Sequence, residues 1–124
     1  MHRQPFELVV ERALEKLPIK FRQRLRNVAV VVELESRDPD LLGLYEGRPL
    51  TERTSQDSFG MPDRITIFQR PHEQMTRNSK QLQKLVDETV WHEVAHYFGL
   101  NEQEVLRAER RRARLANGYG KGRS

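Results

Sequence analysis

Apolar residues open the chain at helical spacing: Phe6, Val9, Val10, Ala13, Leu14 and Leu17. That period predicts an amphipathic helix, with Pro5 suited to its first turn and Pro18 to its end. Residues Ile19 to Arg26 predict a further short helical turn. Val28 to Leu34 (VAVVVEL) is β-branched and apolar on both faces, the pattern of a central strand. Arg37-Asp38-Pro39-Asp40 is a turn signal. Leu41 to Glu46 (LLGLYE) predicts a second strand. Gly43 inside it points to an edge, a bulge or close approach by another part of the chain. Residues 47–63, rich in Gly, Pro, Ser, Thr and Asp, predict a long loop, of a length often tied to function or mobility. Arg64 to Gln69 (RITIFQ) predicts a third strand, ended by Pro71. Asn78 or Ser79 can cap a long helix running to about Phe98, which Gly99 ends. Asn101 to about Leu115 predicts a last helix, and the alternating glycines of 117–124 a disordered basic tail. The expectation is one domain over residues 1–116.

The long helix carries one stripe of Val86, Val90, Val94 and Tyr97, and a second, partly apolar side of Leu82, Leu85 and Thr89. Two buried sides with a polar gap at one end suit the floor of a cleft. In that gap residues 92–96 read His-Glu-Val-Ala-His, the HExxH pattern. At 3.6 residues per turn, positions i and i+4 lie about 40° apart on one face, so both imidazoles can share one tetrahedral metal. Glu93, about 100° further round, stands beside the metal position, where it can take a proton from water. Gly99 follows His96 by three residues and lets the chain turn. Glu102 follows three residues later, so the turn can return it as a third ligand. Three protein ligands and one open position is the catalytic arrangement for zinc. Two other readings stay open: His92 and His96 as solvated histidines on a helix back, and Glu102 as a carboxylate at a helix start. Asn101 and Glu104 are the alternative ligand positions.

Composition narrows the chemistry. The 124 residues contain no cysteine, so disulfides and thiolate metal sites are excluded and a metal must sit on His, Asp or Glu. The net charge of +4 is local: residues 107–114 hold five arginines and one glutamate. This run can meet nucleic acid or an acidic surface, but no aromatic residue is interleaved for stacking, and a solvated helix end is the expected reading. The start of the chain has no signal-like apolar stretch, and no run approaches the ~20 apolar residues of a membrane helix. A cytoplasmic location, with no membrane association, is expected.

The sequence resembles the small bacterial zincin-like metallopeptidases. The resemblance is carried by Leu42-Gly43-Leu44-Tyr45-Glu46-Gly47, Pro49-Leu50-Thr51-Glu52-Arg53, Met61-Pro62-Asp63-Arg64-Ile65-Thr66-Ile67-Phe68, Arg70-Pro71, and Val90 to Leu100 (VWHEVAHYFGL). It covers roughly residues 5–110 and implies a minimal zincin, a few strands with the metal helix beneath them. The string His92-Glu93-x-x-His96-x-x-Gly99-x-x-Glu102 is also similar to that of the metzincin peptidases. It departs from them at Glu102, where they carry a third histidine, and no methionine follows the metal helix.

The resulting expectation is an α+β fold with a small, mostly antiparallel or mixed sheet packed on the metal-binding helix. One Zn2+ per chain is held by His92, His96 and Glu102, with Glu93 as the catalytic base. Gly43, Leu44 and Tyr45 border a site for a peptide or protein substrate. The rival expectations are a metal-binding protein without efficient turnover, and a binding module using the arginine-rich end. His72, Tyr45 and Tyr97 are further candidates for the cleft, with a surface or capping role as the alternative for His72 and core packing for Tyr97. Trp91 is expected in the core, and Asp87 or Glu88 can accept an imidazole N–H.

Overall fold

The structure is a computed structural model and describes residues 5–47, 63–101, and 103, 104, 106, 107, 110 and 111. The elements run α1 (Phe6–Glu15), α2 (Ile19–Arg22), β1 (Val28–Glu33), β2 (Gly43–Glu46), β3 (Asp63–Phe68), α3 (Gln69–Gln74) and α4 (Ser79–Tyr97). The fold is α+β, and the strands among the described residues form a mixed three-stranded sheet. The long loop predicted over 47–63 and the tail at 117–124 fall, apart from residues 47 and 63, outside the described residues. Of the arginine run only Arg107, Arg110 and Arg111 are described, and they are helical. Among the described residues no helix is long and apolar enough to cross a membrane.

The helical spacing of α1 is realised as a buried face of Phe6, Val9, Val10 and Ala13, continued by Leu17. This face packs on Val86, Val90 and Val94 of α4, which are fully or almost fully buried. Burying one such side chain contributes roughly 1.5–3 kcal/mol, so the α1–α4 seam is the main support of the long helix. Polar contacts rim it. Gln83 Nε2 donates to Val9 O at 2.9 Å, and Lys16 Nζ meets Asp87 Oδ2 at 2.7 Å. The lysine is half exposed, so this ion pair adds little.

The strand order is β1-β3-β2, with β1 parallel and β2 antiparallel to β3. The expectation of β1 as the central strand is therefore corrected: among the described residues β3 is central and β1 lies at one edge. The valines of β1 are half-buried, whereas Ile65, Thr66, Ile67 and Phe68 of β3 are buried on both faces. A run of valines reports a fit to a pleated surface, not a place in the strand order. The third strand also ends one residue early. Gln69 opens α3, and Pro71 is its third residue, not a stop. Proline is tolerated there because the first turn of a helix has no use for its N–H.

Both ends of α4 are fixed by specific bonds. Asn78 Oδ1 accepts from Gln81 N at 2.8 Å as the N-cap. At the other end Gly99 takes φ 84°, Gly99 N donates to His96 O at 2.9 Å, and Leu100 N donates to Ala95 O at 3.1 Å. This pair of bonds is the Schellman closure, and the left-handed residue favours glycine.

Candidate metal centre

The last two turns of α4 present His92, Glu93 and His96 beneath the start of β2. The two imidazole ring centres lie 4.8 Å apart at 71°, and both rings are half-buried. Glu93 is only 8 % exposed. A cleft of about 580 Å³ is lined by His92, Glu93 and His96 together with Leu41, Gly43 and Leu44, and reaches Tyr45, Gly99 and Asn101. A second cleft of about 780 Å³ shares Gly43, His92 and Glu93 and extends along α4 past Leu85 and Glu88. The His-Glu-Val-Ala-His segment thus sits where two grooves meet, under the start of β2.

Gly43 makes that meeting possible. A Cβ at this position would stand 2.7 Å from Thr89 Cγ2, 3.1 Å from Glu93 Cγ and 3.3 Å from Thr66 O. Any larger residue would press β2 away from α4. Ladder geometry adds a second property. Phe68 N donates to Leu42 O at 2.9 Å, which makes Leu42 and Phe68 a hydrogen-bonded pair. The next pair, Gly43 with Ile67, is then a non-bonded one, and Gly43 turns its N–H and C=O away from β3. Among the described residues β2 pairs on one side alone.

The profile of the zincin-like metallopeptidases matches residues 21–112, three quarters of the chain, from within α2 to beyond the metal motif. The chain belongs to this family. No curated protein matches it. The matched span starts after α1, so the helix that backs α4 lies outside it.

A zincin takes a zinc ion, and the histidines fit one. Two imidazoles bound at ~2.0–2.1 Å to a single tetrahedral zinc bring their ring centres to about 5 Å of each other. The observed 4.8 Å meets that separation. Among the described residues no three His, Asp or Glu side chains converge on one point. The third ligand expected from sequence, Glu102, lies outside the described residues. Its neighbours are committed elsewhere. Asn101 Oδ1 accepts from Glu104 N at 2.8 Å, and Glu104 Oε1 accepts from Asn101 N at 3.0 Å. This reciprocal capping box engages both alternative ligand positions in starting the next helix.

Other candidates are sorted by burial. Tyr97 is 1 % exposed, and its hydroxyl donates to Arg26 O at 3.0 Å, so it is a core residue tying α4 to the chain before β1. The Tyr45 hydroxyl donates to Asp63 Oδ2 at 2.6 Å, while its ring packs on Tyr97. Trp91 is buried edge-on to Phe21. Asp87 accepts from Lys16 and Gln83 and faces α1, not an imidazole. Glu88 is exposed on the wall of the larger cleft.

His72 corrects both expectations for it. It reaches neither the surface nor the cleft, and is wholly buried between Phe6, Phe68 and Thr89. Desolvation holds its pKa below the ordinary imidazole value, against the opposing effect of its bond to the Phe68 carbonyl. No sequence signal joins His72 to Thr89, because they lie on different helices and meet only by packing.

Proposed function

We propose that this zincin is a zinc metallopeptidase hydrolysing peptide bonds, with His92, His96 and Glu102 holding the metal and Glu93 as the acid–base group. The observation that carries this reading is the position of both imidazoles and a buried glutamate in one cleft, directly under a strand edge whose Gly43 amide and carbonyl face outward.

Each residue then has a distinct task. His92 and His96 hold the ion from one helix face, and Glu102 completes the set from beyond the Gly99 turn. Bound zinc supplies Lewis-acid polarisation and lowers the pKa of water toward ~7. Glu93, rotated away from the imidazoles, accepts the proton of the attacking water and delivers it to the departing amine nitrogen. Gly43 can pair its N–H and C=O with an extended substrate backbone, as edge strands do. Leu44 and Tyr45 extend the same edge. The substrate is accordingly an extended peptide or an exposed protein segment.

The test pairs metal analysis of the purified protein with digestion of a peptide library. The reading expects about one zinc per chain and cleavage that stops on chelation and returns with zinc. Zinc binding with no cleavage of any library member would overturn the peptidase assignment and leave a metal-binding protein.

A further inference from the structure

We infer that His72 is a positioning residue for Glu93, acting through Thr89 and Gly43. The inference rests on the peptidase reading of Glu93, and its structural half stands apart from it.

Hydrogen-bond accounting at His72 leaves one neutral arrangement. Nδ1 lies 2.6 Å from Phe68 O, and a carbonyl can only accept, so Nδ1 carries the proton. Burial keeps the ring neutral. Nε2, 2.8 Å from Thr89 Oγ1, is therefore an acceptor, and the Thr89 hydroxyl donates to it. The same hydroxyl also lies 3.0 Å from Leu85 O, so its one proton is shared between that carbonyl and the ring nitrogen. Thr89 Oγ1 is thus held from two sides, by the Leu85 carbonyl of its own helix and by a ring nitrogen from α3.

That orientation fixes the other branch of Thr89. Its Cγ2 methyl is the atom nearest the vacant Cβ position of Gly43, and Glu93 Cγ is the next. Thr89 and Glu93 are one helical turn apart and together form the seat of β2. The chain of contacts runs His72 to Thr89, Thr89 to Gly43, and Gly43 to the stem of Glu93. Turning the methyl lets β2 settle or lift by a fraction of its van der Waals contact, which moves the substrate edge relative to the carboxylate. His72 touches neither substrate nor metal, and its effect is confined to this geometry.

Two substitutions separate the roles of the two ring nitrogens. His72→Asn places an amide donor near Phe68 O and drops the Thr89 contact. His72→Gln reaches Thr89 with an amide oxygen. Both are compared with the parent for zinc content, kcat and KM on one cleaved peptide, and the amide resonances of Gly43 and Glu93 in the zinc-free full chain. The expectation for His72→Asn is a fall in kcat of roughly tenfold to a hundredfold, the scale of a misplaced reacting group. Zinc content stays unchanged and the Gly43 and Glu93 resonances shift. His72→Gln returns both readouts most of the way. Equal losses in the two variants, or a folded His72→Asn with unmoved resonances, overturn the inference. If the parent cleaves nothing, the peptidase reading fails and the resonances alone decide the positioning. If His72→Asn does not fold, Thr89→Ser takes its place, since it keeps the hydroxyl and removes the methyl. It should shift the Gly43 resonance and make Gly43→Ala better tolerated than in the parent, and absence of both effects overturns the inference.

Discussion

Gly43 lies against Glu93: a methyl on the glycine would approach the glutamate's Cγ to 3.1 Å. The residue that turns its backbone away from β3, toward the side of β2 that is unpaired among the described residues, therefore touches the stem of the residue expected to move the proton. The proposed substrate edge and the proposed base are held in register by the absence of one side chain.

Gly43→Ala is expected to destabilise the fold by about 1–3 kcal/mol, the cost of overpacking a tight site. Thr66 O is backbone and cannot rotate away, and Thr89 and Glu93 are both buried. Urea unfolding reads the change, and an alanine variant as stable as the parent would contradict the close approach.

Binding and catalysis should separate at adjacent positions. His92→Ala or His96→Ala should remove most of the zinc, because one imidazole holds it poorly. Glu93→Gln should keep zinc and fold while losing roughly 10²–10⁴-fold in cleavage rate, the usual contribution of an acid–base group. Metal content and cleavage are measured on the same preparations. A Glu93→Gln protein that still cleaves at the parent rate excludes the proton-transfer role.

The capping box gives a contrast within three residues. Glu102→Ala should lower zinc affinity markedly. Glu104→Ala should cost at most about 1 kcal/mol of stability, on the scale of a lost cap, and leave zinc in place. Competition with a zinc chelator compares the two, and a larger loss in Glu104→Ala would move the third ligand to that position.

His72 makes stability pH-dependent with a defined sign. Its folded pKa is below the ordinary 6.5 of an exposed imidazole. Below 6.5 the unfolded chain takes up a proton that the folded chain refuses, so stability is full above this pH and declines as the pH falls toward the folded value. Chemical denaturation between pH 7.5 and pH 5 should show a shallower decline in His72→Gln than in the parent, and parallel slopes would count against a neutral buried His72.

Parts of this molecule follow from local chemistry, and those parts were legible. The α1 face, the Asn78 cap, the Gly99 stop and the placing of His92, Glu93 and His96 on one helix depend on residues within a few positions of each other. Helical periodicity and capping are properties of such short windows. The glycine in the second strand was likewise readable as a place of close approach, although not what it would approach.

Only the tertiary structure decided the rest, because it turns on contacts between distant segments. Among the described strands the valine-rich β1 flanks β3 because strand order is set by pairing between segments distant in sequence, a matter composition does not encode. Pro71 read as an ending, and became the first turn of α3 once Phe68 took an extended N-cap conformation. His72 and Thr89 are 17 residues apart and look unremarkable singly. The sequence alone determined that two imidazoles and a carboxylate share a helix end. Folding determined that Gly43, 50 residues before Glu93, would be pressed against them, because a period fixes the face a side chain takes and only packing fixes what that face meets.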